Sequence, residues 1–280
     1  MQTTRAHVLR RAGCDLSYWT SGPAGAPLVV LTHGATLDHE MFAPQQGPLA
    51  AAGHQVLTWD MRGHGTSKPM GAAFTVQVAA DDLVAILDDV GADSATLVGQ
   101  SFGGFVAQEV VFRHPDRVRA LAFIGCTDLS RGPSRGMRAA AKVLPHVLPR
   151  LSVERFRRRT VRDLSIREDV TRYGYEATGR LSKDEFLSVI MAGVDCLAAD
   201  LGYPPDYTIP RPFLLLHGAR DSANGGIYPR QAPVWAAKEP NCTYAVVPDA
   251  GHTANLDNPD ACNALLLDFL AAHARGPGGT

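Results

Sequence analysis

The chain has 280 residues, 45% of them hydrophobic, with 27 basic and 28 acidic side chains. That length and apolar content suffice for one α/β unit with a large core, and the balanced charge gives no electrostatic footprint for nucleic acid or an anionic membrane. No apolar run approaches the roughly 20 residues of a membrane span.

The residues behind position 7 lack the apolar stretch of a secretory signal. Five cysteines, at 14, 126, 196, 242 and 262, are scattered without C-x-x-C spacing and read as reduced thiols of a cytoplasmic protein. The histidines show no H-x-x-x-H or H-E-x-x-H spacing, so no metal is expected. No G-x-G-x-x-G follows the first strands, so no dinucleotide cofactor is expected either.

In chain order, the runs at 7–10 and 16–20 predict an antiparallel hairpin at one edge of a sheet. The turn Ser21-Gly22-Pro23-Ala24-Gly25 leads into a buried strand at 28–32, followed by His33-Gly34-Ala35-Thr36. A strand is predicted at 54–60, and an amphipathic helix at 76–90 with Gly91 as its stop. Ala95-Thr96-Leu97-Val98 is strand-like, and the segment from Gly104 to Phe112 reads as a helix. A strand follows at 118–126. Between 128 and 210 strand-like runs give way to helical periodicity, which predicts a helical cap inserted after the sixth strand. The two remaining strands begin at Arg211-Pro212-Phe213 and at Thr243-Tyr244, and Asn258-Pro259 starts a last helix at 260–273. The expected organisation is a core of 1–127 and 211–275, a cap of 128–210 and a disordered tail of 276–280.

The chemistry concentrates where strands end. Gly99-Gln100-Ser101-Phe102-Gly103 joins a strand to a helix. A G-x-S-x-G at that junction is a nucleophile elbow, a turn so sharp that its flanking positions tolerate almost no side chain. The pattern alone is weak; partners strengthen it. A serine hydroxyl is a poor nucleophile until a base takes its proton, and the base needs a group to orient it. Asp221 and His252 each fall in a loop just past a strand, and in an open parallel sheet such loops gather at one edge. Asp128 and Asp249 are rivals of Asp221 for the acid. The backbone N–H groups of Ala35 and Phe102 are the expected oxyanion donors.

These pieces together resemble the α/β-hydrolase fold superfamily, in its single-domain serine esterase or lactonase form. The matching motifs are His33-Gly34, the stretch Asp60-Met61-Arg62-Gly63-His64-Gly65-Thr66-Ser67, Gly99 to Gly104, Gly218 to Asp221, and Gly251-His252. The order Ser, Asp, His is the chain order of that family. The resemblance implies an α/β fold with a mostly parallel central sheet flanked by helices. It also implies a Ser101–Asp221–His252 triad acting on a small-molecule ester or lactone without a cofactor, and a structural role for the loop at 60–67. The same triad serves carbon–carbon bond hydrolases and cofactor-free perhydrolases, and the scaffold also serves slow or non-catalytic ligand receptors; fold alone does not choose among them.

Other residues carry two readings. His33 is expected to prop the oxyanion loop. Asp38-His39 is either a substrate contact or loop surface. Cys126 and Met191 either line an acyl pocket or fill core. Arg155, Arg157, Arg158, Arg159 and Arg162 either receive an anionic substrate or form a solvated helix face beside Glu154 and Asp163.

Overall fold

The computed structural model describes residues 4–273, so the tail expected at 276–280 lies outside the described residues. Eight strands form one sheet: β1 (Arg5–Arg11), β2 (Cys14–Ser21), β3 (Leu28–Thr32), β4 (Gln55–Trp59), β5 (Ala95–Gln100), β6 (Val118–Ile124), β7 (Phe213–Gly218) and β8 (Cys242–Val247). Their order across the sheet is β1-β2-β4-β3-β5-β6-β7-β8. β1 and β2 form the expected antiparallel hairpin at the edge, β2 runs antiparallel to β4, and every pairing from β4 to β8 is parallel.

The central strands β3, β5, β6 and β7 are apolar on both faces because helices cover both. One layer holds α2 (Val76–Asp89) and α3 (Phe102–Arg113), and their apolar stripes enter the core with Trp59, Leu97, Phe123 and Phe213. The opposite face of the sheet, with Leu31, Val98, Ile124 and Leu216, packs against α1 (Ala43–Ala51) and the closing helix α10 (Pro259–His273). Thr75 caps α2 through its side chain, and Gly91 ends it at φ +70°.

Between β6 and β7 stand α4 (Arg135–Val147), α5 (Val153–Arg162), α6 (Glu168–Gly179) and α7 (Lys183–Ala198). Ser134, Ser152 and Ser182 cap three of them, and Ser182 with Glu185 completes a capping box. After β7 comes α8 (Ala223–Lys238), whose first turn is interrupted by Asn224, Gly225 and Gly226, all left-handed at φ +49°, +71° and +69°. The short helix α9 (Ala254–Asp257) precedes α10. Among the described residues no helix is long and apolar enough to cross a membrane.

Parallel strands joined by helices deliver their C-terminal ends to one edge. The segments after β3, β5, β6, β7 and β8 therefore meet there, beneath the helices that follow β6.

Candidate active site

Ser101 sits between β5 and α3 at φ +50°, ψ −114°, a region an L-residue occupies only when its surroundings force it. Its N–H donates to the Ile124 carbonyl at 2.9 Å, and its own carbonyl accepts from the Gly104 N–H at 2.9 Å, so the turn is pinned on both sides. A Cβ at Gly99 would overlap the Gly103 carbonyl, and a Cβ at Gly103 would overlap the Thr32 carbonyl. Both glycines are required by close backbone approach. The outcome is a half-buried serine at the N-terminus of α3, where the helix leaves its first N–H groups unpaired and its dipole favours negative charge.

His252 and Asp221 meet as expected. The His252 Nδ1 donates to Asp221 Oδ2 at 2.9 Å, with both side chains almost fully removed from solvent. Asp221 Oδ1 accepts from the Ala223 N–H at 3.0 Å, which fixes the carboxylate plane. The rivals lie elsewhere: Asp128 accepts from Ser130 and pairs with Lys238, and Asp249 is an exposed turn residue at φ +47°. The imidazole packs so closely over Gly125 that a Cβ there would stand 2.8 Å from Nδ1.

Ser101, His252, Ala35 and Phe102 all line one cavity of about 500 Å³. Among the described residues no direct hydrogen bond joins Ser101 to His252, and no acceptor takes the N–H of Ala35 or Phe102. Those two donors are therefore unspent, and both residues line the cavity.

The loop after β3 is braced from below. His33 Nδ1 donates to the Gly34 carbonyl at 2.8 Å, and its Nε2 accepts from the Met61 N–H at 2.9 Å, which is the expected prop. In the loop at 60–67, His64 Nε2 accepts from the Thr36 N–H at 3.2 Å, and burial pushes its pKa down to about 3, so it stays neutral in that role. Arg62, wholly buried, grips Asp82 with two bonds of 2.6 and 2.7 Å. This loop is scaffolding, as the resemblance implied.

Several residues acquire roles that the sequence did not reveal. Gln100 donates to the His252 carbonyl at 3.1 Å, and its side chain occupies the space a Cβ at Gly34 would need. Asp257 accepts from the Gly251 N–H at 2.7 Å and from Ser165, tying the histidine loop to the segment between α5 and α6. Tyr228 lines the cavity and packs against His252, the rings tilted by 31° with centroids 4.4 Å apart.

Asp38 corrects the surface reading. It is buried, caps its own turn through the Glu40 N–H, and receives Arg180 at 2.6 Å and the Tyr173 hydroxyl at 2.8 Å. It fastens the loop after β3 to α6. His39 pairs with Asp60. Cys126 is buried beneath the elbow helix beside Gln108, and neither it nor Met191 lines the cavity. The arginines of α5 divide: Arg155 is exposed, Arg158 and Arg162 pair with Glu154 and Asp163 near solvent, Arg157 turns over the Phe186 ring, and Arg159 lines the cavity along with Asp163. The rest of the wall is mainly apolar, with Leu37, Phe105, Phe156, Val189, Ile190 and Leu197.

Residues 27–259 match the profile of the alpha/beta hydrolase fold. The chain is 28% identical to a 2-hydroxymuconate semialdehyde hydrolase of Pseudomonas sp. strain CF600, over 93% of this chain and 92% of that one. Epoxide hydrolase A of Mycobacterium tuberculosis shares 38% identity over 121 residues, 42% of this chain and 38% of the relative, so that match spans well under half of the longer protein. A solved hydrolase from Pseudomonas aeruginosa PA01 superposes with a TM-score of 0.80 at 22% identity, covering 95% of this chain and 98% of its own.

Proposed function

This chain belongs to the α/β hydrolase fold family, and within it we propose a serine hydrolase that cleaves a carboxylic ester or lactone through an acyl-enzyme on Ser101. One observation carries the reading: a buried His252–Asp221 pair opens onto the same cavity as a serine held at a strained strand-to-helix turn. Ser101 Oγ attacks the carbonyl while His252 Nε2 takes its proton. Asp221 fixes the tautomer and steadies the imidazolium. The Ala35 and Phe102 N–H groups receive the oxyanion; each such donor supplies about 3 kcal/mol to the transition state. His252 then protonates the departing oxygen, and water activated by the same histidine releases the acid.

A carboxylate nucleophile, which opening of an epoxide through an alkyl ester needs, is missing at position 101. The helices of 128–210 act as a cap: α4, α5 and α7 supply much of the cavity wall, so they select the substrate. Carbon–carbon bond cleavage on the same triad is the second reading, favoured by the full-length similarity to the 2-hydroxymuconate semialdehyde hydrolase. The segment Ala35-Thr36-Leu37-Asp38 lacks the Gly- and Ser-rich oxyanion loop common in that group.

The test is a panel of acyl esters, lactones and dienone acids, run with Ser101→Ala. The variant should keep its fold and lose about six orders of magnitude in turnover. A fluorophosphonate probe should label the peptide that contains residue 101. Ester hydrolysis surviving in Ser101→Ala, or label found elsewhere, overturns the reading; turnover of dienone acids alone selects the second.

A further inference from the structure

The turn after β7 brings a second hydroxyl to the nucleophile. Asn224, Gly225 and Gly226 are left-handed in succession, and this curl carries Tyr228 inward rather than along the surface. Tyr228 is buried, its ring packs tilted against the His252 imidazole at 4.4 Å and 31°, and its hydroxyl lies beside that of Ser101. The Asn224 amide nitrogen donates to the phenol oxygen at 2.8 Å. An amide NH₂ only donates, so the phenol's own proton is not spent on Asn224 and is free for another acceptor. Burial pushes the phenol up to about 12, which keeps that proton in place at neutral pH.

The position of this donor sets its use. The oxyanion donors Ala35 and Phe102 belong to the loop after β3 and the start of α3. Tyr228 belongs to the His252 side. In ester cleavage the departing oxygen must approach His252 to receive its proton, and a phenol packed against that imidazole lies beside the same space. Resting on the acyl-transfer reading above, we propose that Tyr228 is a further catalytic residue, donating a hydrogen bond to the leaving-group oxygen as the carbon–oxygen bond breaks. The proton delivered to that oxygen comes from His252; the phenol keeps its own and shares only the hydrogen bond. Asn224 is the positioning residue that aims it. The arrangement fits esters and lactones whose leaving oxygen is strongly basic, such as alkyl alkoxides, because a bond to a charged oxygen strengthens as charge builds.

The experiment compares two esters of one acyl group, a p-nitrophenyl and an ethyl ester, in wild type, Tyr228→Phe and Asn224→Gly. Glycine at 224 keeps the left-handed backbone while removing the amide. Tyr228→Phe should lose about 10–100-fold in kcat/KM on the ethyl ester and less than about 3-fold on the p-nitrophenyl ester, whose leaving group needs little help. Asn224→Gly should show the same selectivity, reduced in size. Equal losses on both esters, or none, in folded variants overturn the role of Tyr228 and leave the hydrolase reading intact. Should Tyr228→Phe fail to fold, Asn224→Gly alone decides by the same ratio. Absence of wild-type turnover on every ester and lactone of the panel overturns both.

Discussion

Two histidine–carboxylate pairs of nearly the same length stand in this molecule: His252–Asp221 at 2.9 Å and His39–Asp60 at 2.8 Å. Their carboxylates are equally buried. What differs is what surrounds each pair. Asp60 also takes the His39 N–H, the Thr66 N–H and the Thr66 hydroxyl, and the His39 ring lies flat on Trp19 at 3.6 Å. That pair closes on itself. Asp221 takes one other N–H, while its histidine faces a cavity that holds a strained serine. A histidine–carboxylate pair is thus a fastener unless a third group stands on its far side, as Ser101 stands on the cavity side of His252.

The sharpest way to test this contrast is to neutralise the Asp221 carboxylate and, as a control, that of its rival Asp128. In Asp221→Asn the amide favours the wrong imidazole tautomer, and kcat should fall about 10⁴-fold with the fold unchanged. Asp128→Asn, which alters only the Ser130 and Lys238 contacts, should leave steady-state turnover within about 2-fold. Kinetics on one ester, alongside circular dichroism, checks both. A large loss in Asp128→Asn would transfer the acid's role from Asp221 to Asp128.

A second contrast concerns glycine. Alanine at Gly103 drives a methyl into the Thr32 and His33 carbonyls, and backbone cannot yield as a side chain can. Gly103→Ala should cost about 3 kcal/mol or more and remove activity with it. Gly193, inside α7 and also on the cavity wall, has open space where its Cβ would be. Gly193→Ala should stabilise by about 0.8–1 kcal/mol through helix propensity while shortening the longest acyl chain accepted. Urea unfolding and a chain-length series read the two effects separately. The chemistry edge should prove intolerant and the cap tolerant; equal tolerance at both positions would erase the distinction.

The same division explains what was legible in the sequence. Gly99 and Gly103 answer a demand made within a few residues, so the elbow could be read directly. Asp221 and His252 could be read because the sheet brings the ends of successive strands together. Besides the single turn of α9, two longer helices stayed hidden. α1 carries Pro48, and α8 carries Gly225, Gly226, Pro229 and Pro233, breakers that mask a helix held by tertiary packing. Asp38 read as surface because its partners, Tyr173 and Arg180, are 135 and 142 residues away on the helices over the site. Tyr228 was missed for a related reason: no periodicity marks a side chain that three left-handed residues swing inward. Its one signal was Asn224-Gly225-Gly226 itself, a run fit for positive φ that starts three residues after the expected acid Asp221.

The smallest effect is expected from the closed pair. Burial opposes charge on His39, but the hydrogen bond and field of Asp60 outweigh it and raise the imidazole pKa above its ordinary 6.5. Burial likewise opposes charge on Asp60, yet His39 and the Thr66 N–H bring its pKa down to about 2. A raised histidine contributes its stability fully below about 6.5 and loses it as pH rises through the folded pKa. The depressed carboxylate contributes above its ordinary 3.8 and loses its share as pH falls toward 2. The pair therefore fastens best between those limits. His39→Gln should lower Tm more at about pH 5.5 than at about pH 9, with turnover at neutral pH little changed. A deficit equal at both values would mean that His39 holds by stacking on Trp19 alone, and a collapse of turnover would mean that this pair, too, reaches the reacting atoms.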